Sequence, residues 1–271
     1  MVCGVVGLHA WDELGKTGQG ALILNGNSSH LPIPDASVDA VVTDPPYFDF
    51  VHYSELSDFF FAWLSPVLRQ RYAWFDRPNC SDSGEVQHKD PRAFARQLSY
   101  VLSECRRVLN DDGVLAFSFH HSGAEGWAAI YEAITTAGFE VVAAHPVHAE
   151  QRGASPKTAA KDPISLDSIL VCRKHTDINV KTFDIDAVIQ RSGSFAKRLL
   201  SAGMEISDAD RFVIASSQTL IAASAEQLTF DDVKARLELV RERLRIEATP
   251  PTVAAWDSAL NQHHPRLVPS S

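Results

Sequence analysis

The first two thirds of the chain alternate short aliphatic runs with longer stretches in which apolar residues recur every three or four positions. The aliphatic runs are typical of buried strands, and the three- and four-residue spacing is typical of helices. The segment 53–70 contains Pro66, which predicts a helix broken near Ser65. The order strand, strand, helices, strand, helix, strand, strand indicates an α/β fold. The predicted strands are 21–24, 38–43, 114–120, 139–147 and 164–173, the predicted helices of this part are 53–70, 91–109 and 123–137, and polar turns are expected at 25–32 and 110–113.

After residue 175 the pattern becomes helical. The last predicted helix opens on Thr229-Phe-Asp-Asp, which has the form of a capping box, and its apolar stripe is expected to pack on the parent domain rather than in a coiled coil. Residues 248–271 hold four prolines and no periodicity, which predicts a loose tail. The helices are expected at 186–201, 207–224 and 230–246, and the chain divides into an N-terminal segment of unassigned role (1–20), a core (21–175), a helical C-terminal region (176–247) and the tail (248–271).

Composition places the chain among ordinary soluble globular proteins. It has 271 residues, of which 45% are apolar and 22% are charged, so it suits one domain of roughly 200 residues with an appendage, or two small ones. The formal net charge of −9 gives no electrostatic reason to expect a nucleic acid partner. The four cysteines are far apart and form no metal-binding or disulfide pattern, which favours a reduced, cytoplasmic setting without a metal. No apolar run approaches the about 18 residues that suggest a membrane span.

The sharpest chemical signal is Asp44-Pro45-Pro46-Tyr47 at the end of the strand predicted at 38–43. In open α/β sheets, ligands bind beyond the carboxyl ends of the strands. Two prolines stiffen the turn, so a carboxylate, a rigidly aimed carbonyl of Pro45 and an aromatic ring stand together. This set suits a planar ring with an exocyclic amine, whose two protons Asp44 and Pro45 would accept while Tyr47 stacks on the ring. The alternative is a plain turn after a strand, in which Asp44 caps a helix and the prolines only stiffen the loop.

This stretch resembles motif IV of the amino-methyltransferases, which move a methyl group from S-adenosylmethionine to N6 of adenine or N4 of cytosine in DNA. More narrowly, residues 38–64 resemble the large bacterial and archaeal adenine-specific DNA methylases whose longer members carry an N-terminal domain of unknown function. The resemblance covers about residues 20–175 and implies methylation of adenine N6 in DNA by direct in-line transfer, with N4-cytosine methylation as the nearest variant. Later blocks that share it are Glu104-Cys-Arg-Arg-Val-Leu, Phe117-Ser-Phe-His-His, Trp127, Ala137-Gly-Phe and the segment 163–174.

The resemblance also implies the fold and the residues of the site. It implies a Rossmann-like S-adenosylmethionine-dependent methyltransferase core with a helical C-terminal region, and it places Asp44, Pro45, Pro46 and Tyr47 at the target base. In that fold the loop after the third strand touches the cofactor's adenine, and Asn27 stands there, either as a cofactor contact or as a plain turn residue. Directly after the motif, Phe48 and Asp49 are candidates to border the cofactor or the base, although a loop aromatic can equally serve packing.

One departure from the family pattern bears on completeness. The Phe-x-Gly-x-Gly loop after the first strand and the acidic residue after the second are not found, so the core is expected to lack its first two strands. In the fold's strand order 3-2-1-4-5-7-6, these strands lie between the third and the fourth. The chain would then be the C-terminal part of a longer methylase, one half of an enzyme completed by a second chain, or a protein in which residues 2–9 supply a substitute strand. A non-catalytic remnant or binding subunit, which keeps the motif but cannot hold the cofactor, is the competing hypothesis.

Contacts to DNA are less defined in the sequence. Surface cations could border phosphates, although such groups are more often a solvated face. His120 and His121 end a predicted strand, where a ligand contact competes with a purely structural role. The candidate cations are Arg69, Arg71 and Arg77 after the motif helix, and Arg152, Lys157, Lys161, Arg173 and Lys174 in and after the segment 151–163.

Overall fold

A sheet of four strands and six helices form most of the described part of the chain. The computed structural model describes residues 2–3, 24, 26–48, 53–82, 84–149, 164–176 and 182–248. In chain order the elements are β1 (Val2–Cys3), β2 (Gly26–Asn27), β3 (Val38–Thr43), α1 (Tyr53–Leu68), a 3₁₀ turn (Ala73–Phe75), α2 (Pro91–Val108), β4 (Leu109–Phe119), α3 (Ala124–Thr136), β5 (Phe139–His148), β6 (Leu166–Lys174), α4 (Ile185–Ser201), α5 (Asp208–Glu226) and α6 (Phe230–Ala248).

The main sheet has the strand order β3-β4-β6-β5. Strand β3 runs parallel to β4, with Thr43 opposite Phe117, whereas β6 is antiparallel to both β4 and β5. Within the expected order this arrangement corresponds to strands 4-5-7-6, and the mixed α/β architecture is consistent with a methyltransferase fold. The outer edge of β3 has no partner strand in the described ranges, and Val42 on that strand is 81% exposed. The absence of the first two strands stays a prediction.

Local sequence signals set the ends of the helices. Asp90 caps α2 by accepting the N–H of Ala93 at 2.7 Å, and Pro91 occupies the first turn, where its missing N–H costs nothing. Helix α6 begins with the predicted capping box, in which Thr229 and Asp232 exchange hydrogen bonds between side chain and backbone. A second capping box, formed by Ser207 and Asp210, starts α5.

The C-terminal helices share one hydrophobic core with the sheet. Helix α5 packs on β5 and β6, and α6 packs on α3 and α5. Trp127 and Tyr131 of α3 are fully buried, and the Tyr131 hydroxyl donates to the carbonyl of Ala223 on α5 at 3.1 Å. The stripe of α6 is buried at Val233 and Leu237, which confirms packing on the parent domain.

Asp210 ties the start of α5 to the start of β6. Its carboxylate is fully buried and accepts the backbone N–H groups of Ser165 and Leu166 at 2.7 and 2.9 Å. The same carboxylate accepts the Ser165 hydroxyl at 2.7 Å and the N–H of Ser207 at 3.0 Å. Four donors therefore compensate the burial of this charge.

Three predicted boundaries are wrong. Helix α1 runs unbroken through Pro66, because a single proline removes one hydrogen bond and the backbone resumes when Arg69 donates to the carbonyl of Ser65 at 3.0 Å. Residues 110–113 are part of β4. The pairing of β3 with β4 shifts register between residues 38 and 40, and this irregularity accommodates the extra residues. Residues Gly26–Asn27, expected in a loop, pair with β1. Most of the predicted strand 21–24 and all but the first residue of the predicted tail lie outside the described residues.

Candidate active site

The motif Asp44-Pro45-Pro46-Tyr47 follows β3 at the carboxyl end of the sheet, as predicted. Because β3 and β4 are parallel with Thr43 opposite Phe117, the residues that follow these two lie side by side at the same end of the sheet. Asp44 is exposed there, whereas Pro45 is buried and Tyr47 is half-buried. The sheet therefore presents the carboxylate outward and anchors the turn behind it.

Ser118 on β4 joins the two chemical groups of the motif. Its hydroxyl donates a hydrogen bond to Oδ1 of Asp44 and accepts one from the Tyr47 hydroxyl at 3.3 Å. Burial raises the pKa of Tyr47 above its ordinary value of about 10, so the hydroxyl stays protonated and remains a donor at neutral pH. The relay Tyr47–Ser118–Asp44 orients the carboxylate by one oxygen.

The Tyr47 ring is held by aromatic side chains from the end of β4. It packs edge-to-face against Phe119, with ring centroids 5.4 Å apart, and against His120 at 4.8 Å. Nδ1 of His120 in turn contacts Oδ1 of Asp167 on β6. Phe119 of β4 and His120, which is held by Asp167 of β6, thus pack on the Tyr47 ring and fix its position relative to Asp44.

Phe48 packs inside the protein. It is 6% exposed, and its ring lies 5.5 Å from Phe94 and 5.6 Å from His121. Trp127 secures His121 by donating its indole N–H to the His121 carbonyl at 2.9 Å. The geometry supports the packing alternative for Phe48, and His121 lies on the same core side of the motif.

The side chain of Asn27 accepts hydrogen bonds from within its own turn. Its Oδ1 accepts the N–H of Ser29 at 2.9 Å and the Ser29 hydroxyl at 2.8 Å, while its backbone carbonyl accepts the N–H of His30 at 2.9 Å. Its amide NH₂ is the group with which it could meet a ligand, and Asp49 lies outside the described residues. Of the three residues expected beside the cofactor, Asn27 is therefore engaged in its own turn and Phe48 in the core.

Two of the candidate cations lie far from the motif. Arg173 donates to the backbone carbonyls of Asp112 and Gly113, and Lys174 pairs with Asp111 at 3.1 Å. These partners stand near the beginning of β4, roughly 20–25 Å along the strand from the end that carries the motif. Arg173 and Lys174 therefore lie at the opposite end of the strands from Asp44.

The remaining candidate cations are paired, exposed or outside the described residues. Arg77 pairs with Asp82 at 3.8 Å, whereas Arg69 and Arg71 are exposed just after α1. Arg152, Lys157 and Lys161 lie outside the described residues.

In the described part of the chain, no group of three or more His, Cys, Asp or Glu residues is arranged to hold a metal ion. None of the helices described is long and apolar enough to cross a membrane.

Ser118 and the His120–Asp167 pair are site residues that sequence reasoning did not select for their roles. Ser118 stands between Phe117 and Phe119, both buried, so strand alternation puts its hydroxyl on the other face. A polar residue at that register, next to the end of the motif strand, was the available signal. Of the two alternatives for His120, its pairing with Asp167 favours the structural role over a ligand contact.

Comparison with known proteins agrees with the geometry. A sequence model of the N6/N4 methyltransferase family, described as DNA methylase, matches residues 38–224, more than half of the chain. The matched range begins with β3 and ends within α5, so it contains the motif, Ser118 and the His120–Asp167 pair. No curated protein matches the chain.

Proposed function

This chain belongs to the DNA methylase family, and we propose that it takes part in transferring a methyl group from S-adenosylmethionine to the N6 amine of adenine in DNA. The observation that supports the proposal most is the exposed Asp44 carboxylate, held by Ser118 at the end of β3 beside Tyr47. The adenine preference comes from the resemblance of residues 38–64 to adenine-specific methylases, because the same four residues suit the N4 amine of cytosine.

Asp44 and Pro45 act on the amine in this proposal. Ser118 occupies Oδ1 of Asp44, which leaves Oδ2 to accept one amine proton while the Pro45 carbonyl accepts the other. The lone pair of an aryl amine is conjugated into the ring and is therefore a poor nucleophile. Two acceptors outside the ring plane favour the pyramidal amine, whose lone pair is available to attack. The carboxylate would also stabilise the positive charge that develops on nitrogen as the new N–C bond forms and the methyl–sulfur bond of S-adenosylmethionine breaks, and it is placed to accept the proton that the nitrogen then loses.

Tyr47 binds the base in this proposal. A base flipped out of the duplex loses its stacking partners, and an aromatic side chain replaces part of that energy. Packing against Phe119 and His120 pre-positions the Tyr47 ring, so little side-chain entropy is lost when a base stacks on it. S-adenosylmethionine would supply the methyl group.

A second candidate function is that of a subunit whose cofactor side is completed by another chain. The observation that favours it is the outer edge of β3, which has no strand partner in the described part of the chain and exposes Val42. Strands of parallel sheets are usually covered on both faces, so an exposed valine on such a strand marks a surface that another element can cover. A chain that adds strands there would supply the missing cofactor contacts.

The test separates the two candidates. Calorimetry of the 271-residue chain with S-adenosylmethionine measures cofactor binding, and transfer of a labelled methyl group to DNA measures activity. Nuclease digestion followed by mass spectrometry identifies N6-methyladenine or N4-methylcytosine in the product. Cofactor binding and Asp44-dependent labelling of adenine support the first candidate. Absence of binding by the chain alone refutes independent catalysis, and labelling that survives Asp44→Ala refutes the assigned roles.

A further inference from the structure

The segment that follows α1 carries a stacked pair of aromatic rings on the surface. The ring centroids of Tyr72 and Trp74 lie 4.9 Å apart at an interplanar angle of 24°, and Trp74 is 60% exposed. The Cζ atom of Arg71 lies 5.5 Å from the centre of the Tyr72 ring. One guanidinium group and two rings are therefore grouped together, and much of the indole is accessible to a ligand.

The 3₁₀ turn Ala73–Phe75 is the reason that Trp74 points outward. Phe75 is held against α1, because its ring stacks on Phe61 at 5.6 Å and its carbonyl accepts the Ser65 hydroxyl at 3.1 Å. Successive residues of a 3₁₀ helix are rotated by about 120°, so a turn that places Phe75 against α1 directs the preceding side chain away from it. The contacts that anchor the turn thus also present the indole to solvent.

Positive charge is concentrated in the same segment. Residues 69–77 contain three arginines and a single acidic residue, whereas the whole chain has a net charge of −9. Arg77 is engaged locally, in a pair with Asp82 at 3.8 Å. Arg69 and Arg71 are exposed, and neither forms an ion pair with another described residue. Two guanidinium groups beside the ring pair are therefore available to an anion.

Exposed aromatic rings next to unpaired arginines are typical of surfaces that bind single-stranded nucleic acid. Guanidinium groups contact phosphates, and an aromatic face accepts any base that has left its stack. We propose that this surface binds an unpaired base and adjacent phosphates of the DNA substrate, as a second contact outside the base site at Asp44. The inference rests on the proposed function for the identity of its ligand. The surface, here called the platform, consists of Arg69, Arg71, Tyr72 and Trp74.

The length of α1 separates the platform from the base site. The helix begins at Tyr53, six residues after Tyr47, and Phe75 lies beside Phe61 and Ser65. With a rise of 1.5 Å per residue, these two positions are roughly 12–18 Å along the axis from the start of the helix. Nucleotides of one strand are about 3.4 Å apart, so this length corresponds to about four to five nucleotides. Different nucleotides of one strand can therefore occupy the base site and the platform.

DNA binding without cofactor tests the platform separately from methyl transfer. Fluorescence anisotropy of a labelled single-stranded oligonucleotide, titrated with the full chain, gives the dissociation constant. Trp74→Ala should raise this constant roughly tenfold through the loss of stacking, and Trp74→Phe should recover most of the affinity. Tyr100→Ala removes another aromatic side chain that is 60% exposed, on α2, and as the matched control it should leave the affinity unchanged.

The salt dependence of binding tests the two arginines. Each phosphate contact on single-stranded DNA contributes about 0.7 to the slope of log affinity against log salt concentration. The combined Arg69→Ala and Arg71→Ala substitutions should therefore reduce the slope by about 1.4, whereas Trp74→Ala should leave the slope unchanged. Arg198→Ala is the control, because Arg198 also lies over an aromatic ring, that of Phe195 on α4 at 4.4 Å.

The outcomes distinguish this proposal from the proposed function. Unchanged DNA affinity in Trp74→Ala and in the double arginine variant overturns the platform, even if methyl transfer depends on Asp44. Platform-dependent binding without any methyl transfer supports the platform and counts against the proposed function. A wild type that binds no DNA but self-associates through Trp74 overturns the proposal in favour of a protein surface. The arginine variants decide the outcome if circular dichroism shows that Trp74→Ala is unfolded.

Discussion

The Ser118 hydroxyl donates a hydrogen bond to the Asp44 carboxylate from the neighbouring parallel strand, which links the proposed reactive group to the sheet. A carboxylate on a strand-end turn would otherwise rotate freely about its side-chain torsions. With one oxygen held, the other keeps a fixed direction relative to Tyr47, whose hydroxyl donates to the same serine. Methyl transfer is measured on the chain together with any partner that it needs to bind the cofactor.

Removal of the Asp44 carboxylate should abolish most of the activity. We expect Asp44→Ala to lower the single-turnover rate of methyl transfer by about 10²–10³-fold, the range found for loss of one aimed group that stabilises a transition state. Asp44→Asn keeps the shape and one acceptor but loses the charge, and its rate should fall between those of the wild type and Asp44→Ala. Because Asp44 is exposed, both variants should melt like the wild type. A rate unchanged in Asp44→Ala would remove this residue from the mechanism.

Ser118→Ala should reduce the rate through the position of Asp44. We expect a decrease of about tenfold in the rate of the chemical step, with DNA affinity nearly unchanged, because the serine touches the carboxylate and not the base. Ser118→Thr keeps the hydroxyl and should recover most of the loss. Ser103→Ala serves as the control, since that hydroxyl only donates to the Ser99 carbonyl within α2. Equal rates for Ser118→Ala and wild type would refute the positioning role.

Substitutions of Tyr47 should separate stacking from hydrogen bonding. Tyr47→Phe keeps the ring and loses the hydrogen bonds of the hydroxyl, including the 3.3 Å contact to Ser118, so DNA affinity should stay within a factor of about three. Tyr47→Ala loses the stacking surface, worth about 1–3 kcal/mol per base, and should weaken binding of the target DNA roughly 10–100-fold. The measurement is the KM for DNA compared with the single-turnover rate. Equal affinity of the Ala and Phe variants would refute stacking.

The buried thiol of Cys105 should make stability depend on alkaline pH. Burial raises the pKa of Cys105 from about 9 to about 11. The unfolded thiol therefore loses its proton first, and the free energy of unfolding falls as the pH rises from about 9 to about 11. We expect the stability difference between wild type and Cys105→Ala to shrink by about 2 kcal/mol between about pH 8 and pH 11 in urea unfolding. Val108→Ala, a deletion in the same helix, should show no such trend.

Loss of the Asp210 carboxylate should destabilise the fold more than loss of a neighbouring surface acid. Asp210→Ala leaves the buried N–H groups of Ser165 and Leu166 without their acceptor, and we expect the free energy of unfolding to fall by about 2–4 kcal/mol. Asp208 lies in the same helical turn and makes an exposed pair with Arg211 at 3.8 Å. Asp208→Ala should cost less than about 1 kcal/mol. Similar urea midpoints for the two variants would contradict the bridging role of Asp210.

Local patterns in the sequence predicted the position of the Asp44 motif and most element boundaries. The aliphatic run before Asp44 predicts a strand and the two prolines predict a turn, and both predictions depend only on adjacent residues. Ser118 is different, because its meeting with Asp44 depends on the register between two strands separated by α1 and α2. The unbroken α1 and the inclusion of 110–113 in β4 also depend on contacts outside the local sequence, which override the turn and breaker signals of Pro66 and Gly113.

The insertion of β6 between β4 and β5 has a consequence for the order of folding. During synthesis β3, β4 and β5 leave the ribosome before β6, so the inner edge of β4 waits for a strand that is about 50 residues distant. Ser118 can meet Asp44 as soon as β3 and β4 pair, whereas His120 acquires Asp167 only when β6 enters the sheet. The support behind the Tyr47 ring is thus completed late, and a nascent chain that stops short of β6 carries the motif without its full scaffold.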